Sequence, residues 1–339
     1  LTAEKQATRR ERKHINWNNR RLPHWLNRAL PYAYVMPGSP LFHYEARVLQ
    51  WGRDPDDLIR RMVLRIRLIV GIALAIWAVF MIGMAAFGSD SGWYSALWYA
   101  IGLNFILGFL DRFYLDFIAV SISLDDIGRD FDAKRWDLVC LTDISSRNII
   151  RAKYAIAQIK AWRVLSIAMG LRLAAVTTTF ATLLFAPILF PNNDDIPNIY
   201  RGTIETLRGS AGDGFFVVAF ITFMFIVFGL YIVEPRWRLK ALSAASLAVS
   251  SQRRQSTFAL LSGFAAVGSI WFCQILLVGV SGFIVFISGQ FFLDPAAAGV
   301  YILFFVGVFS YALYGLYIGL ANYWLEGAYQ RLRRMGGAP

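Results

Sequence analysis

Histidine is almost missing from this 339-residue sequence, and its three copies, His14, His24 and His43, all precede the first long apolar run. Haem and related pigments in helical membrane bundles usually take axial ligands from facing helices, so no histidine-ligated cofactor is expected. Cysteine is as scarce. Cys140 lies in a polar stretch and Cys273 in an apolar one, far apart, which argues against a structural disulfide. No G-x-x-x-x-G-K-[ST] phosphate loop occurs, so the chain is not expected to hydrolyse nucleotide alone. H-E-x-x-H, Cys-x-x-Cys and G-x-S-x-G are absent too, and we expect neither an enzyme nor a bound metal or cofactor in this chain. Carboxylates are missing from the apolar runs except for Asp111 and Asp116 at the end of the second. Ion-coupled transporters generally keep intramembrane carboxylates or broken helices, which weakens that reading.

What the sequence does contain is apolar surface in long blocks. Hydrophobic residues make up 57% of the chain, charged residues only 17%, and mean hydropathy is +0.48. Six segments approach the roughly 20 apolar residues that a membrane-spanning helix needs. They are Leu68–Phe87, Trp93–Leu110, Val164–Leu189, Gly214–Val233, Phe258–Ile287 and Val300–Leu325. The fifth is long enough to be tilted, kinked at Gly263, Gly268, Gly279 or Gly282, or split with a re-entrant piece. The expected fold is an all-α, polytopic membrane protein with six transmembrane helices. The expected organisation is a basic interfacial segment (1–67), a spanning domain (68–325) containing a cytoplasmic helical loop (121–163), and a short basic tail (326–339). The chain opens at Leu1 on a polar stretch without a signal-peptide pattern, so residues preceding Leu1 are expected.

Charge orients these runs. Of the 34 Lys and Arg, 30 lie in residues 1–67, 121–163, 234–257 and the tail beyond Leu325, whereas the three opposite connections hold only Arg201 and Arg208. Positive charge marks the cytoplasmic side, which predicts cytoplasmic N- and C-termini and a multi-pass protein of the cell inner membrane. The net charge of +12 is then topological and lipid-facing, and no nucleic-acid partner is expected. Trp93, Tyr94, Trp98 and Tyr99, with Trp162, Tyr323 and Trp324, fall where aromatic rings anchor helices at headgroups.

One charge stands inside a run. Arg172 could snorkel to the cytoplasmic face, pair with Asp111 or Asp116, or line a substrate path. Two basic-side stretches also stand out. Ser39–Arg53 reads as an amphipathic surface helix, with Ser39 as cap, Pro40 at the first position, and Leu41, Tyr44 and Val48 on one face. In the 121–163 loop, Ser145 can cap a helix whose apolar face is Ile149, Ala152, Ile156 and Ile159, with Arg147, Arg151, Lys153 and Lys160 over the remaining surface. That helix either packs on the chain's own N-terminal segment or presents a docking surface.

The run W-D-L-V-C-L-T-D-I-S-S-R-N-I-I-R-A-K, Trp136 to Lys153, resembles the stretch after the second span in permeases of type-2 ATP-binding-cassette exporters. Trp136, Leu138, Leu141, Thr142, Ser145, Ile149 and Lys153 stand at matching places, while Asp137, Asp143 and Ala152 replace the family's Glu, Pro and Gly. Pro40, Glu45 and Arg47 loosely match the helix before that family's first span. The resemblance implies a permease subunit working with a separate cytoplasmic ATPase, which docks at those residues and supplies all use of ATP. It also implies a dimer with a second copy or a paralogue. The substitutions leave open a non-catalytic accessory subunit of a larger membrane complex, derived from such a permease.

Overall fold

The computed structural model describes residues 41–42, 55–87, 92–132, 145–189, 202–206, 209–252, 256–289 and 294–335. Among them the regular structure is entirely helical. Six long helices follow in order: α1 (Pro55–Phe87), α2 (Gly92–Asp132), α3 (Ser146–Leu189), α4 (Ala211–Ser250), α5 (Ser256–Gly289) and α6 (Pro295–Met335). Their starts follow local rules. Ser145 Oγ accepts the Asn148 N–H at 3.4 Å at the head of α3. Ser210 Oγ accepts the Asp213 N–H at 3.2 Å at the head of α4. Asp294 accepts from the Ala296 and Ala297 N–H groups before Pro295 opens α6. Each oxygen occupies a backbone donor that the first helical turn leaves without a partner.

α1 and α3–α6 are long and apolar enough to cross a membrane. α2 is not in that group, and its apolar run is followed by Asp111, Arg112 and Asp116. Large apolar side chains such as Ile76, Ile106, Phe225, Ile275 and Phe304 face outward on five helices, an area that water would not tolerate and a bilayer would.

Neighbouring contacts fix the directions. α4 and α6 run side by side and parallel, from Gly212 beside Ala296 to the Arg331 guanidinium on the Ala248 carbonyl. α1 and α3 are parallel as well, with Gly170 against Ile66 and Ile69 and Trp77 Nε1 donating to Thr182 Oγ1 at 2.9 Å. α2 and α5 are antiparallel, Phe117 stacking on Phe264 and Phe109 meeting Trp271. One end of the bundle therefore collects Pro55, Asp132, Ser146, Ser250, Ser256 and Met335, the helix ends next to the basic segments.

That basic end holds the core. Ala152, Ala155, Ala157 and Ala161 of α3 and Ala241, Ala244, Ala245 and Ala248 of α4 are all buried. Small residues at this spacing let the two helices approach closely, so that backbones pack against each other. Phe42 joins the same core as Ala152, Ala155 and Ile156, so residues 41–42 pack on the chain itself. The rest of Ser39–Arg53 lies outside the described residues.

Several boundaries differ from the sequence expectation. The stretch 234–257 was expected as a loop, but α4 continues unbroken to Ser250, because Glu234 and Arg238 are neutralised by other helices and the alanines beyond them pack. α3 starts at Ser146 and runs straight through Val164, so the expected surface helix is its first turns. α5 is one helix without a re-entrant break. Trp162 is buried in the core and not an interface anchor. Lys153 is likewise buried, unlike the exposed Arg147 and Arg151.

At Gly263 a Cβ would sit 2.8 Å from Val120 Cγ1 and 3.1 Å from Leu124 Cδ1, so the close approach of α5 to α2 depends on glycine there. Gly263→Val is expected to cost about 1–3 kcal/mol by overpacking. Gly268, which faces open space, should accept valine almost neutrally. Thermal unfolding of the two variants in detergent would decide; equal melting temperatures would refute the contact.

Candidate functional site: a buried arginine–carboxylate network

A cluster of charge lies where the apolar half of the bundle meets the Ala-rich core. Arg172 on α3 is 1% exposed. Its Nε donates to Asp111 Oδ2 on α2 at 2.6 Å, its Nη1 to Glu234 Oε2 on α4 at 2.6 Å, and its Nη2 to Asp111 Oδ1 at 3.4 Å. Its guanidinium also lies 4.8 Å from the centre of the Tyr231 ring. A fork-on-carboxylate arrangement of this kind uses the planar geometry that arginine has and lysine lacks.

The backbone assists. Pro235 stands inside α4 and has no N–H, so the Tyr231 carbonyl one turn earlier loses its helical donor. Arg172 Nη1 donates to that carbonyl at 2.8 Å. The proline thus frees an acceptor at the point where a buried cation needs one.

A second pair lies beside the first. Arg238 on α4, fully buried, donates from Nε to Asp116 Oδ1 on α2 at 2.6 Å and from Nη2 to Asp116 Oδ2. Its Nη1 donates to Gln274 Oε1 on α5 at 2.6 Å, and the guanidinium stacks on the Trp271 ring at 4.8 Å. Trp271 Nε1 donates to Asp116 Oδ2 at 2.8 Å.

Glu234 joins the two pairs. Beyond Arg172, it accepts from Gln274 Nε2 at 3.1 Å and from the Tyr317 hydroxyl on α6, and stands 3.5 Å from Arg238 Nη1. Gln274 Nε2 also donates to the Tyr317 oxygen. Arg112 Nε approaches Glu234 Oε2 at 3.9 Å, and the Arg112 side chain is 33% exposed.

Asp111, Asp116 and Glu234 carry three negative charges and Arg112, Arg172 and Arg238 three positive, so the cluster is neutral overall. Neutrality and nearly complete hydrogen bonding are what allow this much charge to be buried. The network binds α2, α3, α4, α5 and α6 at one level, and among the described residues α1 contributes no member to it. Among the described residues no group of histidine, cysteine or carboxylate side chains could hold a metal ion.

The structure brings together Arg172 and Asp111, as one sequence alternative had it, but gives Asp116 to Arg238. Arg172 points at carboxylates within the bundle, so it does not snorkel. Sequence reasoning missed Glu234, Arg238, Gln274 and Tyr317 because Glu234 and Arg238 were assigned to a loop. The signal was present in E-P-R-W-R, where residues 234 and 238 share a helix face directly after an apolar run, and in the lone amide of Gln274. Of the expected docking residues, Trp136, Leu138, Leu141 and Thr142 lie outside the described residues. Ser145 caps α3, and Ile149 and Lys153 are buried within the bundle.

Comparison with protein families, curated proteins and solved structures finds no match to this chain. The fold and the site define an all-helical protein compatible with multiple passes through a membrane.

Proposed function

We propose that this chain is the permease-like subunit of an ATP-binding-cassette export system, with six spans, both termini cytoplasmic, and a separate ATPase beneath the α2–α3 connection. α2 serves as the sixth span on this reading, its charges matched inside the bundle so that the apolar cost of crossing falls. The observation that carries the reading is mechanical. α2 and α3 leave the connection that resembles the coupling segment as unbroken helices, and the Arg172 and Arg238 pairs tie them to α4, α5 and α6. A push on that connection would move a linked bundle rather than a loose loop. Ile149 and Lys153 would stiffen the connection from inside, leaving Trp136, Leu138, Leu141 and Thr142 as contacts for the ATPase.

The cell inner membrane follows from the basic asymmetry of the loops. Two copies, or one with a paralogue, would enclose the path. Purification in mild detergent, with mass spectrometry of what accompanies the chain, is expected to yield a nucleotide-hydrolysing subunit and ATPase activity. Trp136→Ala with Leu141→Ala should abolish ATP-driven transport. A complex without ATPase, or transport indifferent to the double change, would rule the reading out.

A second reading has its own observation. Each buried carboxylate of the network is matched by a guanidinium, and Gln274 and Tyr317 extend the three paired helices to five. That suits an accessory subunit holding a larger membrane complex, and stoichiometric recovery with other membrane subunits but no ATPase would select it.

A further inference from the structure

Among the described residues, two clefts on the apolar half of the bundle differ in one respect. The first, about 610 Å³, lies between α1, α2 and α3 and is lined by apolar and aromatic side chains with Thr178 and no charged residue. The second, about 890 Å³, lies between α2, α3 and α4 and is as apolar, but Arg112 forms part of its wall beside Tyr231. Both volumes fall in the range of small-molecule sites.

Arg112 is the least satisfied member of the charge network. Its Nε is buried without a hydrogen-bond partner, and Glu234, the nearest carboxylate, is 3.9 Å away and already engaged by Arg172 and Tyr317. A buried guanidinium nitrogen left unpaired is costly, and the part of the side chain that is exposed opens to the cleft. An anionic oxygen in the cleft would meet the exposed nitrogens of the guanidinium and offset the weak pairing of the buried one.

The shape of the cleft says what should carry that oxygen. Arg112 and Tyr231 stand at one end, Leu183 and Phe220 at the other. From Phe220 to Tyr231 α4 rises about 16 Å at 1.5 Å per residue, close to the roughly 15 Å half-thickness of a bilayer's hydrocarbon. The Arg112 end is also the headgroup end. It adjoins Arg172, whose neighbour Gly170 packs on Ile66 and Ile69, level with Arg65 and Arg67 of the basic stretch that begins α1. A headgroup at Arg112 would send its chain up the cleft toward the bilayer centre.

We propose that the α2–α3–α4 cleft holds one acyl chain of an anionic phospholipid from the basic-side leaflet, with its phosphate on Arg112. The phosphate meets the exposed face of the guanidinium, and the chain fills a groove that no side chain among the described residues fills. The inference rests on the bundle crossing a membrane and holds whether or not an ATPase docks. The uncharged cleft between α1, α2 and α3 supplies the internal contrast, since a chain there gains nothing from headgroup charge.

The test is native mass spectrometry of the purified full chain, offered phosphatidylglycerol and phosphatidylcholine of equal chain length. One phosphatidylglycerol per chain should be retained with about a fivefold preference or more, the scale of one basic residue at an anionic membrane surface. Arg112→Gln should remove the preference while leaving some lipid bound. Met224→Trp, which fills the cleft and spares Arg112, should reduce phosphatidylglycerol binding, and it keeps the test decisive if Arg112→Gln does not fold. Millimolar inorganic phosphate should not displace the lipid. Equal retention of the two lipids, full binding by Met224→Trp, an undiminished preference in Arg112→Gln, or displacement by phosphate alone would each overturn the proposal.

Discussion

Arg172→Met is expected to lower the unfolding free energy by about 3–5 kcal/mol, the scale on which removing one partner from a buried ion pair acts. The cost arises in what stays behind. Asp111 and Glu234 would remain buried, each without its closest cation, and the Tyr231 carbonyl would again lack a donor because Pro235 cannot supply one. Titration with sodium dodecyl sulfate from a mild-detergent micelle, followed by helical circular dichroism, would measure it. Adding Asp111→Asn should recover part of the loss, because one of the uncompensated charges goes. The control is Arg147→Ala. That residue pairs with Glu326 at 3.6 Å with both side chains more than half exposed, and its loss should cost less than about 1 kcal/mol. If Arg172→Met proved no more damaging than Arg147→Ala, the network would not be holding the bundle.

Glu234→Gln should be as damaging as Arg172→Met, for the opposite reason. Glu234 is the one carboxylate that faces all three arginines, so neutralising it leaves the cluster with a net positive charge inside the bundle. Glutamine keeps the size and one oxygen acceptor, so packing is nearly conserved and the effect reports charge. A loss of about 3–5 kcal/mol is expected. Tyr317→Phe removes a single donor to that carboxylate and should cost about 1.5–3 kcal/mol, the worth of a hydrogen bond to a charged group. The order Glu234→Gln above Tyr317→Phe is the discriminating result, and the reverse order would place the organising role on α6 instead of on the charge. Loss of α6 packing in Glu234→Gln, seen as faster proteolysis of the Arg331–Arg334 region, would show that the network joins α4 to α6.

These variants also separate the two functional readings. On the permease reading, a weakened network should uncouple ATP hydrolysis from transport before the chain unfolds, because the linkage between the α2–α3 connection and the remaining helices loosens. On the accessory reading, the same variants should reduce assembly in proportion to their loss of stability.

Much of this architecture was legible in the amino-acid order. Each long helix contains one of the expected apolar runs, Ser145 caps the helix its position suggested, and Ile149, Ala152, Ile156 and Ile159 are all buried, as their spacing suggested. Arg172 could be identified as exceptional because it was the only charge in a long apolar run, and a charge there must find a partner. These are local properties. Apolar length, helical periodicity and capping are set by residues within a few turns of each other.

Which partner it found was not local. Asp111 and Asp116 lie five positions apart on one helix, and the sequence offers no reason for Arg172 to take the first and not the second. The choice depends on α4 lying alongside α2, which brings Arg238 to Asp116 and Glu234 to the remaining side of Arg172. The same packing turned the expected loop at 234–257 into helix. Glu234 and Arg238, which would end an isolated span, are carried inside the bundle because each is met by an opposite charge from another helix. The sequence alone determined that the chain is a set of long apolar helices with a basic end and one anomalous arginine. Only the tertiary structure decided that six charges from three helices form a single neutral cluster, since ion pairing depends on distances across helices that no run of residues contains.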